Sequence, residues 1–312
     1  MRMQPLISVL IATYNRPQLL KRAVRSVLWQ FYPNLELIIV DDHSETEAAT
    51  VLNEFDTSNI NCIRNQRNLG FAKSINIAAK KARGDYLAIL GDDDAWTSEE
   101  KLARQMQILS EDSEGLVAVV CTGFQYISEG SDIAQKKVIP LLSDDFLERL
   151  LVRNGIVSST TVMIRKHVWN ELGGFAEDLP RGVDSDFFRR VLFAGYRIES
   201  IPEVMVNVYV GRDDRMGTKN SIERIEQHMA AERYKLDMYP DVYLRYPAAK
   251  SRVFRKIARH QLQAWNISRK GLYLLQALCS LIKSFLVYPD NAWKMSKDIP
   301  MYAESKDTYH RS

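Results

Sequence analysis

The chain has 312 residues, which is long enough to bury one full α/β core and to carry a second, smaller region. Hydrophobic residues make up 46% of it and charged residues 26%, a balance that is ordinary for a globular protein and excludes a largely disordered chain. The net charge of +3 conceals an asymmetry, because residues 221–312 carry 16 Lys and Arg against 9 Asp and Glu, a net of +7. The C-terminal part would therefore favour an anionic surface, and no nucleic-acid partner is expected.

The cysteines and the first residues indicate the compartment. Cys62, Cys121 and Cys279 are scattered and have neither metal-ligand nor redox spacing, which fits a reducing environment. The apolar run that begins at Ile7 is too short for a signal peptide, and no small-residue cleavage site follows it. We therefore expect a cytoplasmic protein whose cysteines are buried and inert.

The first half alternates between two periodicities. Continuous apolar runs over 7–12 and 35–40 predict strands covered on both faces, as in a parallel sheet. Between them, apolar residues recur at helical spacing from Leu19 to Phe31, and Pro17 stands where a first helical turn tolerates proline. The alternation continues with strands over 61–64, 85–90 and 116–122, and helices over 72–82 and 98–109. This order predicts an α/β fold with a Rossmann-like, mostly parallel sheet flanked by helices.

The second half is less regular. Helices are predicted over 144–152 and 186–194, and strands over 160–165 and 204–210. We place a domain boundary near residue 220, because the apolar spacing beyond it is mostly helical. Residues 221–312 are then a basic, mainly helical C-terminal region.

Residues 271–288, GLYLLQALCSLIKSFLVY, are the most apolar stretch. Gln276 and Lys283 interrupt it, and it falls short of the roughly 20 residues that span a bilayer, which favours an amphipathic helix. The helix either packs on the main domain or lies on a membrane. The second alternative is favoured by nearby basic and aromatic residues, namely Arg269, Lys270, Lys283, Lys294, Lys297, Trp265, Tyr273 and Trp293.

Polar residues follow three of the predicted strands. They are Thr13-Tyr14-Asn15-Arg16, Asp41-Asp42-His43-Ser44 and Gly91-Asp92-Asp93-Asp94. Ligands of open α/β sheets bind outside the carboxyl ends of the strands, so three loops are expected to converge on one edge. Asn15 and Ser44 also suit the cap of a following helix, and this alternative stays open.

The triple aspartate has a stronger chemical meaning. Three adjacent carboxylates repel one another unless a cation or hydrogen-bond donors compensate. Oxygen ligands of this kind suit Mg²⁺ or Mn²⁺, which take one or two protein carboxylates and bridge a diphosphate. The alternative is a solvated acidic turn.

Five motifs occur in an order that identifies a family resemblance. They are ATYNR at 12–16, VDDHS at 40–44, NQRNLGFAKSIN at 65–76, GDYLAILGDDDAW at 84–96 and GVDSDFFRR at 182–190. Together they resemble a family-two glycosyltransferase with the GT-A fold, over roughly residues 5–215. The resemblance implies an inverting, metal-dependent hexosyl- or N-acetylhexosaminyltransferase. It also implies a catalytic domain over 1–220, with a nucleotide-binding half over 1–115 and an acceptor-binding half over 116–220.

The resemblance assigns roles to individual positions. Thr13, Tyr14, Asn15 and Arg16 resemble the loop at the nucleotide base and ribose, and Asp42 resembles the acid that hydrogen-bonds the base. Asn68, Gly70 and Lys73 resemble the segment beside the nucleotide. Asp92 and Asp94 resemble the DxD pair, with Asp94 nearest a Mn²⁺ or Mg²⁺ ion, Asp92 nearest the ribose or donor sugar, and Asp93 suited to either role.

Asp184 resembles the family's catalytic aspartate, which takes the proton of the acceptor hydroxyl as a general base. The alternative is that Asp184 or Ser185 heads the helix predicted from Asp186. Val183 stands where the family often has Glu. Many members of the family have a His after the strand that corresponds to 204–210, and it can complete the metal shell. No His stands there in this chain, so we expect Arg212 or Arg215 to contact the diphosphate, or Asp213 to assist the metal.

Partners and rival functions follow from the same motifs. A nucleotide-diphosphate sugar, in the first place a UDP-sugar, would be the donor, and a saccharide or lipid-linked molecule of bacterial surface polysaccharide synthesis the acceptor. An anionic membrane at the inner face of the cell and a second copy of the chain are further candidate partners.

A sugar nucleotidyltransferase would need a Gly-rich basic loop after the first strand, and ATYNRPQLL is not such a loop. A non-catalytic nucleotide-sugar binding module would not need Asp184. A Rossmann oxidoreductase is excluded because no G-x-G-x-x-G occurs.

Overall fold

The computed structural model describes residues 4–131, 133–140, 142–210 and 221–289. Its strands are β1 (Ile7–Thr13), β2 (Leu35–Asp41), β3 (Ile60–Arg64), β4 (Tyr86–Ile89), β5 (Ala95–Trp96), β6 (Val117–Ser128), β7 (Ala134–Val138), β8 (Met163–Arg165) and β9 (Arg197–Val210). The helices of the first part are α1 (Pro17–Leu28), α2 (Ala48–Leu52), α3 (Phe71–Lys81), α4 (Lys101–Glu111), α5 (Phe146–Val152), α6 (Lys166–Glu171) and α7 (Val183–Phe193). Those of the C-terminal part are α8 (Ile222–Met238), α9 (Pro240–Arg245), α10 (Pro247–Ser268) and α11 (Gly271–Val287), and a 3₁₀ turn spans Ser159–Thr161.

Within the described residues the strands form one nine-stranded sheet in the order β3-β2-β1-β4-β8-β6-β9-β5, with β7 beside β6. The first four strands pair in parallel, as βαβ units require. Beyond β4 the sheet is mixed, because β8 runs antiparallel to both of its neighbours while β6 and β9 are parallel. The α/β fold with flanking helices is confirmed, and the parallel part is the half that carries the three polar loops.

Alternate residues of β1 face two separate cores. Val9 and Ile11 pack with α1 and α4 on one face of the sheet. Leu10 packs with α3 and α7 on the other face, where Phe187 and Phe188 are fully buried. The continuous apolar runs of the sequence are therefore strands covered on both sides, as predicted.

Several predicted elements have other bounds in the structure, such as the strand predicted over 204–210, which begins at Arg197. The run predicted as a strand over 160–165 is divided into the 3₁₀ turn and the three-residue β8. Helix α7 begins at Val183, three residues before the predicted start at Asp186, because Gly182 caps it with a φ of 74° that favours glycine. The alternative that Asp184 or Ser185 heads this helix is therefore wrong.

The C-terminal helices are docked on α5. Leu151 and Val152 share an apolar cluster with Tyr243, Val253 and other residues of α9 and α10. The hydroxyl of Tyr243 also donates to the carbonyl of Leu151 at 2.7 Å. The chain between Val210 and Ser221 lies outside the described residues, so a domain boundary near 220 stays a prediction.

Helix α11 is oriented with its apolar side outward. Its buried positions are Ala277, Ser280 and Ser284, which face α10, whereas its leucines are exposed. None of the described helices is long and apolar enough to cross a bilayer. The expectation that all cysteines are buried is wrong for Cys279, which is exposed on this helix, since the small residues and not the apolar ones form its packed face.

Candidate active site

The carboxyl ends of β2, β1 and β4 lie side by side in the sheet. Two backbone hydrogen bonds extend this pairing into the loops, from the Asp42 N–H to the Thr13 carbonyl at 2.8 Å and from the Leu90 N–H to the Leu10 carbonyl at 3.0 Å. The polar loops that follow the three strands therefore meet at one edge, as the sequence predicts. The first loop directly contacts the acidic loop of residues 91–94.

Asp92 is held by two residues of the first loop. The Thr13 hydroxyl donates to its Oδ2 at 2.8 Å, and the Arg16 guanidinium lies 3.1 Å from its Oδ1. Arg16 also lies 3.4 Å from Oδ2 of Asp93. Burial raises the pKa of Asp92 to about 6, with Arg16 opposing the rise and the charge of Asp93 adding to it. Arg16 therefore compensates only part of the cost of ionising Asp92.

Asp93 and Asp94 fold back over Gly91. A Cβ at position 91 would lie 3.1 Å from Oδ1 of Asp93 and 3.1 Å from Oδ2 of Asp94, so a side chain there would press on both carboxylates. The Asp94 N–H donates to the Gly91 carbonyl at 3.2 Å, which closes the turn. Asp94 is 5% exposed. The tight turn thus brings both carboxylates to the same side of Gly91.

This donor set fits a divalent cation that brings other ligands with it. In the described part of the chain no three Asp, Glu, His or Cys side chains are grouped to hold a metal ion alone. Buried carboxylates whose charge is compensated only in part, as at Asp92, are nevertheless the hard oxygen donors that Mn²⁺ and Mg²⁺ take together with phosphate and water. The residues present therefore fit a cation that is completed by a bound diphosphate.

Asn15 and Ser44 join the first two loops to each other. Asn15 has a φ of 53°, its N–H donates to the Ser44 hydroxyl at 2.9 Å, and its Oδ1 accepts from the Glu45 N–H at 2.7 Å. The cap of α1 is Arg16 and that of α2 is Glu47. The capping alternative for Asn15 and Ser44 is therefore wrong, and both residues fix the shape of the site instead.

Asp42 organises the segment of residues 65–70. Its Oδ1 accepts from the Leu69 N–H at 2.7 Å and from the Asn65 amide at 2.8 Å, and its Oδ2 accepts from the Gly70 N–H at 2.8 Å. Asp42 is 4% exposed, so this buried carboxylate is directed at the protein backbone. Its role toward a nucleotide base stays a prediction.

The other residues predicted to line the nucleotide border this segment and the first loop. Gly70 caps α3 with a φ of 86°, which favours glycine, and Lys73 is half-buried in the first turn of that helix. Asn68 and Tyr14 are exposed. They lie on the accessible side of the loops, whose shape is held by the hydrogen bonds of Asp42 and Asn15.

Asp41 has a structural role that the sequence did not distinguish from that of Asp42. It accepts from the Ser44 N–H at 2.8 Å and the Ala48 N–H at 3.0 Å, and Arg64 lies 2.9 Å away. Burial alone would raise the pKa of Asp41, but these hydrogen bonds and the charge of Arg64 hold it below the usual range. The carboxylate therefore ties the second loop together.

Asp184 lies in the first turn of α7, beside the 3₁₀ turn of residues 159–161. The Ser185 N–H donates to its Oδ1 at 2.7 Å, and the backbone of Ser159 lies close enough to lower its pKa. Burial raises the pKa of Asp184, and these hydrogen bonds offset that rise only in part. The same turn reaches the acidic loop, because the Gly91 N–H points at the Thr160 hydroxyl at 3.4 Å. Asp184 and the acidic loop thus contact one three-residue turn.

A buried polar network holds this turn, and no motif in the sequence indicated it. The Trp96 indole N–H donates to the Thr160 carbonyl at 3.0 Å, and the Gln105 amide donates to the Thr161 carbonyl at 2.9 Å. Lys101 donates to Gln105 at 2.8 Å and lies 4.3 Å from the centre of the Trp96 ring. Burial lowers the pKa of Lys101 to about 7. Helix α4, which looks like an ordinary amphipathic helix, therefore positions the turn between the acidic loop and Asp184.

Arg22 is a second contributor that sequence reasoning missed. Its guanidinium donates to the carbonyl of Asp93 at 2.7 Å, pairs with Glu129 at 2.9 Å and stacks on the ring of Tyr209 at 3.5 Å. It joins the acidic loop to the end of β9. Arg212, Asp213 and Arg215 are the predicted substitutes for a metal-binding histidine, and they lie outside the described residues.

Comparisons with known proteins identify relatives of this chain. The family described as "Glycosyl transferase family 2" matches residues 8–172. An uncharacterized glycosyltransferase of Haemophilus influenzae is 25% identical over 288 residues, covering 89% of this chain and 95% of the relative. The UDP-Glc:alpha-D-GlcNAc-diphosphoundecaprenol beta-1,3-glucosyltransferase WfaP of Escherichia coli is 38% identical over 104 residues, covering 33% of this chain and 41% of the relative.

A solved structure has the same fold. The mannosyltransferase PcManGT of Pyrobaculum calidifontis, in complex with GDP-Man and Mn²⁺, superposes with a TM-score of 0.57 at 17% identity, covering 95% of this chain and 89% of that one.

Proposed function

The chain belongs to glycosyl transferase family 2, and from this premise we propose that it moves a sugar from a nucleotide diphosphate to an acceptor hydroxyl with inversion at the anomeric carbon. The observation that carries the proposal is the shared turn. Thr160 contacts the acidic loop at Gly91, and Ser159 contacts Asp184. A donor diphosphate at the acidic loop and an acceptor hydroxyl at Asp184 would then be close enough to react across the width of one turn.

The loops of β1 and β2 would bind the nucleotide. Thr13, Tyr14, Asn15 and Arg16 form the near wall, and Asp42, Asn68, Gly70 and Lys73 form the segment beside it. Asp42 holds the backbone of this segment through hydrogen bonds to Leu69 and Gly70, which supports a fixed pocket for a flat base. A UDP-sugar is the donor that we put first, since the relative WfaP is named for UDP-Glc.

Asp94 and Asp92 would hold a Mn²⁺ or Mg²⁺ ion, with Asp93 beside them. The structural neighbour in complex with GDP-Man and Mn²⁺ supports a divalent cation in this fold. When bound, the cation stabilises the negative charge that the diphosphate gains as the glycosidic bond breaks. This chain's own part is to keep the acidic loop in place, which Thr13 and Arg16 do through Asp92.

Asp184 would act as the general base. An ionised carboxylate takes the proton of the acceptor hydroxyl while that oxygen attacks the anomeric carbon and the diphosphate leaves from the opposite face. A base is most effective when its pKa lies near the working pH, and burial raises the pKa of Asp184 in that direction. Attack from the face opposite the leaving group inverts the anomeric centre.

The acceptor would be a saccharide of bacterial surface polysaccharide synthesis, free or linked to a lipid diphosphate. The relative WfaP, named for such a lipid-linked acceptor, supports this. In this arrangement residues 1–115 bind the donor and residues 116–220 the acceptor. We place the reaction in the cytoplasm, at the inner face of the cell membrane.

A thermal-unfolding screen tests the donor and the metal together. UDP-, GDP- and dTDP-sugars are added with Mn²⁺ or with EDTA, because a ligand that binds only the native state raises the melting temperature. We expect one nucleotide class to protect the protein in Mn²⁺ and little protection in EDTA. Equal protection in both conditions would contradict the metal role, and no protection by any nucleotide sugar would contradict the proposed donor.

A further inference from the structure

The packed face of α11 is small and polar. The Ser280 hydroxyl donates to Gln261 of α10 at 2.8 Å, and the Ser284 and Ser251 hydroxyls lie 2.8 Å apart. Ala277 fills the same face. A surface helix normally turns its apolar side to the core, so α11 has the opposite orientation to the one its composition favours in water.

The outward face of α11 is correspondingly apolar. Eight large side chains on it range from 43% exposed at Leu281 to 73% exposed at Leu286. They are Leu272, Leu274, Leu275, Leu278, Leu281, Ile282, Phe285 and Leu286. At 3.6 residues per turn they cover about half of the helix circumference. Contiguous apolar surface of this extent indicates a docking surface.

The part of the chain that carries this face is charged with one sign. The sequence from Arg245 to Pro289 contains nine Lys and Arg and no Asp or Glu. Arg252 and Lys256 pair with acids of other helices, Glu148 at 3.3 Å and Glu232 at 2.5 Å. Arg269, Lys270 and Lys283 are exposed. The apolar face is thus set in a basic surface.

A groove of about 590 Å³ runs along one border of the face, between α8, α10 and α11. Arg233, Lys250 and Lys283 line it, against one carboxylate, Asp237. Leu275 and Cys279 of the outward face of α11 line it as well. Three cations therefore lie where the apolar face ends, as they do in helices that rest in the headgroup layer of a membrane.

We propose that the outward face of α11 lies in the headgroup and acyl boundary of an anionic bilayer, with the cations of the groove on lipid phosphates. Charge complementarity favours this occupant over a second copy of the chain, because a two-fold contact would place a surface with an excess of positive charge against itself. It also favours it over residues 290–312, whose four acidic and four basic residues give no net negative charge to complement the basic surface. The inference deepens the proposed function by naming the surface that reaches the membrane, but vesicle binding does not require sugar transfer.

Vesicle flotation of the full chain tests the proposal. We use vesicles of phosphatidylcholine alone and of phosphatidylcholine with phosphatidylglycerol, each at low and high salt. The protein should float with the anionic vesicles and release as salt rises, because attraction by basic residues decays within a Debye length.

Two variants separate the apolar and the charged contributions. Leu278→Glu with Ile282→Glu should lower binding to anionic vesicles by at least about tenfold, since two charges enter the apolar face. Lys250→Gln with Lys283→Gln should lower it by roughly ten- to thirtyfold at low salt and hardly change it at high salt. Phe31→Glu is the matched control, because it places a charge on an exposed aromatic residue of the other part of the chain and should bind vesicles as the wild type does.

The results of these experiments show whether a membrane, a second copy of the chain or residues 290–312 cover the outward face of α11. All substituted side chains are at the surface or in the groove, so unchanged melting temperature and nucleotide-sugar protection show that a variant is folded. Absence of wild-type binding to every vesicle overturns the proposal. A concentration-dependent dimer that Leu278→Glu with Ile282→Glu dissociates would assign the face to a second copy, and flotation only after removal of residues 290–312 would assign it to that segment. Loss of nucleotide-sugar protection in the wild type would contradict the proposed function and leave the vesicle result intact.

Discussion

Two groups of carboxylates in the candidate site differ in how far hydrogen bonds offset the cost of burying their charge. Asp41 and Asp42, after β2, each accept several hydrogen bonds from the backbone and side chains of neighbouring loops. Those contacts hold the pKa of Asp41 below the usual range. Asp92, after β4, and Asp184, at the start of α7, have raised pKa values, because burial there outweighs the hydrogen bonds that each accepts.

Under the proposed function, this difference separates carboxylates that build the site from those that react with a metal ion or an acceptor. A pKa held low means that the folded state stabilises the charge, whereas a raised pKa means that the charge costs free energy until a cation or a proton arrives. Asp41 is of the first kind, and Asp42 shapes its loop through the hydrogen bonds that it accepts from Leu69 and Gly70. Asp92 and Asp184 keep a charge that a metal ion or an acceptor proton can neutralise. Each experiment below alters one member of this comparison.

Asp184→Asn is expected to have the largest effect. Transfer should fall by about 10²- to 10⁴-fold, the range typical of the loss of a general base. The melting temperature at neutral pH should not fall, because the folded pKa of Asp184 is raised and its ionised form therefore destabilises the protein. Nucleotide-sugar protection should persist. Asp144→Asn, at an exposed position, is the control and should leave transfer unchanged.

The wild-type pH profile tests the same assignment. A base works in its ionised form, so transfer should decline as the pH falls through the pKa of Asp184, and this limb should lie above the ordinary aspartate value of 3.8. Transfer by Asp184→Asn close to that of the wild type would remove Asp184 from the role. A marked loss of stability would move it to the structural group with Asp41.

Asp41→Asn should do the reverse and mainly lower stability. The amide cannot accept from Ser44, Ala48 and Arg64 as the carboxylate does, so the free energy of unfolding should fall by about 2 to 4 kcal/mol at neutral pH. Because the folded pKa is lowered, the contribution is present above the unfolded value and lost as the pH falls through the folded one. Urea unfolding at neutral and acidic pH should show the difference between variant and wild type shrinking in acid. The exposed Asp56→Asn is the control and should change little.

Gly91→Ala should weaken metal-dependent donor binding by about five- to tenfold, since the methyl group would displace the carboxylates of Asp93 and Asp94 by a few tenths of an ångström. Calorimetry of the nucleotide with Mn²⁺ and with EDTA measures it, and only the affinity in Mn²⁺ should change. Gly271→Ala is the control, because a Cβ there meets open space. An equal loss in EDTA would mean that position 91 acts on the nucleotide pocket and not on the metal loop.

The sequence predicted the part of this arrangement that depends on local pattern. Continuous apolar runs identified the parallel strands, and the polar residues after them met at one edge because parallel strands end together. The sequence did not indicate the direction of the later strands or which side chains contact one another. The three-residue β8 and the 3₁₀ turn before it have the same β-branched, apolar composition as one strand, so nothing local divides them.

The roles of individual polar residues depended on tertiary partners. Asn15 and Ser44 have the composition of helix caps, but each finds its partner in the neighbouring loop. Asp41 and Asp42 are adjacent and chemically identical, and only the fold directs one to Arg64 and the other to Leu69 and Gly70. No motif marks the turn at Thr160, because its importance comes from its contacts with Gly91 and Asp184 and not from its own residue types.

Thr160→Val tests that connection and should have the smallest effect. The substitution keeps the shape of the side chain and the carbonyl that accepts from Trp96, but removes the hydroxyl that faces the Gly91 N–H. A hydrogen bond contributes about 0.5 to 1.5 kcal/mol, and this one is long at 3.4 Å, so kcat should fall by roughly two- to fivefold. Thr161→Val is the matched control, since its hydroxyl donates to the Ser158 carbonyl at 2.7 Å inside the turn and not to the acidic loop. If Thr160→Val lowers kcat while Thr161→Val lowers only the melting temperature, the turn acts by aligning the acidic loop with Asp184. Equal losses of kcat would mean that the rigidity of the turn matters and that the contact with Gly91 does not.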